Sequence, residues 1–77
     1  MNSKITDVII HTKHQLSEQQ FAEVSSRVYK TEGIVSLSRN AHTPRFLMVV
    51  YNASRTRANS ILQTVTGMGY DASLVGI

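Results

Sequence analysis

Two sets of side chains in this sequence have the chemistry to bind something. The first is the three histidines, His11, His14 and His42. Imidazole nitrogens bind Zn(II), Cu(II) or Ni(II), so His11 and His14 make a candidate divalent transition-metal pair, with His42 as a third ligand from a neighbouring turn. The second is Lys13, Arg39 and Arg45, which together with protonatable histidines would suit a phosphate or an acidic partner. Exposed loop histidines and solvated cations are the plain alternative for both sets. His11 and His14 face one way only if a strand ends between them, because side chains on a strand alternate. Lys13 would repel a metal cation, and the segments expected around these residues offer no carboxylate to orient a site.

Catalysis is not expected. No Ser/His/Asp arrangement can be assembled, and the acids Asp7, Glu18, Glu23, Glu32 and Asp71 are dispersed. With no cysteine, disulfides, thiolate metal sites and thiol nucleophiles are excluded. No Gly-rich phosphate loop is present. The net charge of +3 is mild and compatible with an acidic partner or with a basic surface that serves solubility. The 77 residues, 42% of them hydrophobic, suffice for one domain over 1–77 with a modest core. No apolar run approaches a membrane span and no signal-peptide core follows Met1–Lys4, so a cytoplasmic location is expected.

The elements that must position these residues can be read from periodicity. Lys4–Thr12 reads as a strand rich in β-branched residues. Ser17 and Gln20 have capping-box spacing, with Leu16 and Phe21 as a hydrophobic staple. Phe21, Val24 and Val28 then recur at helical steps, and Gly33 is the expected stop. Ile34–Arg39 is a second strand, Asn40–Pro44 a turn, and Arg45–Asn52 a strand apolar on both faces, as a central strand is. A second helix buries Ala58, Ile61, Leu62 and Val65, capped by Ser54 or Thr56 and ended by Gly67 and Gly69. Tyr70–Val75 closes the chain as a strand.

This order, βαββαβ, predicts an α+β, ferredoxin-like sandwich: a four-stranded antiparallel sheet, the first and third strands central, both helices on one face. That topology carries His11, His14, His42, Lys13, Arg39, Arg45 and Met68 to one end of the sheet. Lys30, Arg55 and Arg57 fall at the other end. Parity in the third strand turns Phe46, Met48 and Val50 away from the helices, and Ile9 extends the patch if it shares that face. An uncovered apolar patch marks association, with another protein or as a homodimer. Scattered side chains shielded by polar neighbours are the alternative. The sequence argues against nucleic acid: an RNA-binding sheet presents aromatics on both central strands, whereas here Phe46 and Tyr51 fall on opposite faces of one.

The segment Gly67-Met68-Gly69-Tyr70-Asp71-Ala72 resembles the end of the heavy-metal-associated domain family, the copper-chaperone and metal-ATPase modules. Gly33-Ile34 is similar to the Gly-Val that opens the family's second strand. Val49-Val50-Tyr51-Asn52 is similar to the Val-x-Tyr-Asp that ends its third. The resemblance covers nearly the whole chain and implies the same βαββαβ fold. The family binds soft metal through Met-x-Cys-x-x-Cys before the first helix. Counted back from Gly33, those two cysteine positions fall on Ser17 and Gln20. A hydroxyl and an amide do not replace thiolates for Cu(I). The resemblance therefore implies a family fold without its thiol site. The leading expectation is a non-catalytic binding or regulatory module acting through protein contact. Metal carriage by His11, His14 and His42 is the alternative, and weak anion or RNA binding a further one.

Overall fold

The computed structural model describes residues 4–76. Its elements follow the expected order: β1 (Ile5–Thr12), α1 (Glu18–Tyr29), β2 (Ile34–Asn40), β3 (Thr43–Asn52), α2 (Ala58–Thr66) and β4 (Ala72–Val75). The strands form one antiparallel sheet in the order β2-β3-β1-β4, so β1 and β3 are central.

Alternation decides which side of the sheet is covered. Val8, Ile10 and Thr12 of β1 are buried, as are Leu37 of β2 and Leu47, Val49 and Tyr51 of β3. All but Thr12 join Val24 and Val28 of α1 and Ile61 and Val65 of α2 in one hydrophobic core, which puts both helices on the same face. Leu16, just before α1, is buried with them, and Phe21 packs against the cluster. No helix among the described residues is long and apolar enough to cross a membrane.

Several boundaries differ from expectation for local reasons. α1 stops at Tyr29, where the Lys30 N–H donates to the Arg27 carbonyl at 3.2 Å and the Thr31 N–H to the Val28 carbonyl at 2.9 Å. Gly33 lies beyond the cap with φ +96°, where a Cβ would come 2.7 Å from the Arg55 Cβ. Its carbonyl accepts from the Asn52 N–H at 2.7 Å. Gly33 therefore serves the close approach of the β3–α2 connection and does not end the helix. The hairpin turn is only Ala41–His42, with the Asn40 side-chain oxygen accepting from the His42 N–H at 2.8 Å. Pro44 belongs to β3. It is tolerated because the β2–β3 ladder breaks between the Arg39–Leu47 and Asn40–Thr43 rungs, and pairing with β1 reaches only to Phe46.

Neither Ser54 nor Thr56 caps α2. The Asn52 side chain accepts from Ser54 N–H at 2.9 Å, and the Asn52 carbonyl accepts from the N–H groups of Arg55 and Thr56. That turn consumes the residues in between. The N-cap falls on Arg57, which has no side-chain capping bond. The last strand begins at Ala72 rather than Tyr70, after a turn in which Gly69 has φ +98°.

Candidate functional site

The end of the sheet where β1 finishes gathers the expected segments. Thr12 pairs with Ala72, and the Lys13 N–H donates to the Asp71 carbonyl at 2.8 Å. From the hairpin side, Arg45 Nη1 donates to the Lys13 carbonyl at 3.3 Å and the Thr12 hydroxyl to the Arg45 carbonyl at 3.3 Å. Backbone convergence is therefore present. The side chains do not follow it to a single point.

His11 is on the outer side of the sheet, because its neighbour Thr12 is 1% exposed on the inner side. It pairs with Phe46 across the central strands, ring centroids 5.1 Å apart and planes tilted by 54°. His14 lies past the strand end, exposed, beside a shallow depression it shares with Gln20, Tyr70 and Asp71. His42 is exposed on the hairpin turn. Among the described residues, no group of three His, Asp or Glu side chains is placed to hold a metal ion. A carboxylate does reach this end, contrary to expectation: Asp71 lines the same depression as His14.

The three cations also separate. Arg39 points inward, its side chain 12% exposed. Its Nη1 donates to the Leu16 carbonyl at 2.7 Å and its guanidinium stacks 4.5 Å above the Phe21 ring. A longer contact of 3.4 Å reaches the Glu18 carboxylate. This arginine anchors the entry to α1 against β2 and is not free for an anion. Lys13 and Arg45 remain exposed at the edge. At the far end, Arg55 pairs with Glu32 at 2.6 Å, both side chains largely exposed.

Ser17 and Gln20 form the reciprocal capping box. The Gln20 N–H donates to Ser17 Oγ at 3.1 Å, and the Ser17 N–H to Gln20 Oε1 at 2.8 Å. Met68 packs against the core while Met48 is 39% exposed on the other side of the sheet, so the two thioethers do not meet.

The outer face carries exposed apolar side chains, Phe46, Met48 and Val75 among them. Register places Ile9 opposite Met48, His11 opposite Phe46 and Asp7 opposite Val50, all on the side away from the helices. Phe46 is 40% exposed, and Tyr51 is buried on the opposite side, as parity requires. Val75, paired with Ile9 on β4 and also exposed, completes a groove with Ile9, Phe46 and Met48. Residue spacing in β4 could have placed Val75 there; the strand's shortness obscured it.

No protein-family model matches the sequence, and no curated protein matches it significantly. Solved structures do match. Oxidized MerP from Ralstonia metallidurans CH34 is similar with a TM-score of 0.79 at 17% identity, over 92% of this chain and 97% of that one. The N-terminal domain of a potential copper-translocating P-type ATPase from Bacillus subtilis, in its Cu(I)-loaded state, gives 0.80 at 17% identity, over 91% and 86%. The putative copper-ion-binding protein from Bacillus anthracis str. Ames gives 0.80 at 12% identity, over 94% and 100%. At such identities the likeness is one of fold: the chain has the ferredoxin-like βαββαβ architecture of these domains, as its heavy-metal-associated resemblance implied.

Proposed function

We propose that residues 1–77 form one non-catalytic binding module, which uses the fold of metal-handling domains for contact with a protein and not for thiolate chemistry. The carrying observation is the capping box. The two positions where the family resemblance puts cysteines hold Ser17 and Gln20, and each side chain is bonded to the other residue's backbone. Neither is a soft ligand, and the chain has no cysteine with which to rebuild the site. Cu(I) titrated against a competing chelator is expected to show no tight binding. Tight, stoichiometric Cu(I) binding overturns this reading.

A second reading is favoured by two observations. The structural neighbours include proteins named for copper, and His14 shares its depression with Asp71. It makes the chain a divalent-metal module using His11, His14 and His42. Zn(II) titration followed by imidazole NMR separates the versions. Joint shifts of the three histidines support a shared site. A shift at His14 alone reduces it to adsorption at one imidazole.

A further inference from the structure

We propose that the open face of the sheet docks a second copy of this chain, the two related by a two-fold axis passing over Ile9 and Met48. The proposal rests on the protein-contact reading above and names the partner.

Charge selects the occupant. The chain has eight Lys and Arg residues, and none stands at an open-face position of a strand. A nucleic-acid surface needs such cations to neutralise phosphates, and an acidic protein partner needs them as well. A chain of net charge +3 would repel its own copy through a basic face; this face avoids that. Its centre is apolar, with Ile9 flanked by Met48 on β3 and Val75 on β4, and Phe46 one register step further along.

The titratable groups that the face does carry are arranged symmetrically. Asp7 and His11 lie two residues to either side of Ile9 on β1. They are about 14 Å apart along the strand, too far to meet within one chain. A two-fold axis lying between facing sheets and crossing β1 at Ile9 reverses the strand. Each Asp7 then faces the second copy's His11, and an imidazole N–H can donate to the carboxylate. The tilted contact with Phe46 holds the His11 ring on this face. A self-complementary patch of this kind is what a two-fold interface requires.

Size sets the strength. Four strands about 4.8 Å apart and averaging about 25 Å in length have a flat footprint of roughly 480 Å². Standard stable interfaces cover about 800 Å² per partner. The dimer is therefore a weak one that dissociates on dilution.

Sedimentation velocity over a dilution series of the full chain tests this. The wild-type sedimentation coefficient should rise with concentration toward the dimer value. Phe46→Ser should weaken association at least tenfold while the thermal melt stays cooperative. Asp7→Lys alone and His11→Asp alone should each weaken it, and the double variant should recover part of the loss. These charge variants decide the matter if Phe46→Ser fails to fold. A wild type that stays monomeric throughout overturns the second copy as occupant, and so does a dimer indifferent to Phe46→Ser. A double variant no better than the singles overturns the two-fold alignment. The Cu(I) titration is independent of all of these, so failure here and failure of the broader reading are distinguishable.

Discussion

Arg39 shows how far a side chain's type can mislead about its task. Its charge and its place in the chain suggested an anion ligand, yet its guanidinium lies under the start of α1, on the Leu16 carbonyl and the Phe21 ring. What the residue type conceals is direction, which here follows from β2 parity and from the burial of Leu16. Glu18, its ion-pair partner, is 97% exposed in the side chain, so that contact is strongly screened. Arg39→Ala should therefore cost about 2 kcal/mol, because it strands a buried carbonyl and removes the ring contact. Glu18→Ala should change stability by less than about 0.5 kcal/mol. Urea denaturation of both variants checks this, and equal losses would show that the ion pair and not the carbonyl bond is what matters. The histidines mislead in a related way. His11 and His14 are close in sequence, but the strand carries one onto the outer sheet face before the loop releases the other.

Elements were legible in proportion to the local chemistry of their ends. α1 was read to its first residue because Ser17, Gln20 and Leu16 are local signals. α2 was misread at its start because Asn52, several residues upstream, organises the turn that precedes it. The result is a helix capped by Arg57 in extended geometry, with no side-chain acceptor and a positive charge at the positive end of the dipole. Arg57→Asp should correct both and raise stability by about 1 kcal/mol, visible as a higher melting temperature. An unchanged or lowered melting temperature would mean that the Arg57 side chain contributes something the cap does not replace. The glycines divide on the same principle. Gly33→Ala meets both a left-handed φ and the Arg55 Cβ, and should cost at least about 2 kcal/mol. Gly69→Ala has a left-handed φ but open space around it, and should cost about 1 kcal/mol. Equal melting shifts for the two would remove the role assigned to close packing at Gly33.

Over the whole molecule, topology was the most legible quantity. Six elements with alternating burial leave few ways to close one sheet, and right-handed crossovers leave β1 and β3 in the middle. The open face followed from β3 parity alone, through Phe46, Met48 and Val50. The gathering of side chains at the end of β1 was not legible, since topology places backbones and each side chain then takes its own direction. The shortness of β4 has a separate consequence. It pairs with β1 only from Ile9 to Thr12, so the Ile5–Val8 half of β1 has a strand neighbour, β3, on one side only. In an antiparallel ladder alternate N–H groups point to opposite sides. Amide hydrogen exchange along β1 should therefore be periodic: every second proton between Ile5 and Val8 should be replaced by deuterium far sooner than its neighbours, while Ile10 and Thr12 persist as long as the sheet does. Uniformly slow exchange along β1 would mean that another stretch of chain occupies that edge in solution.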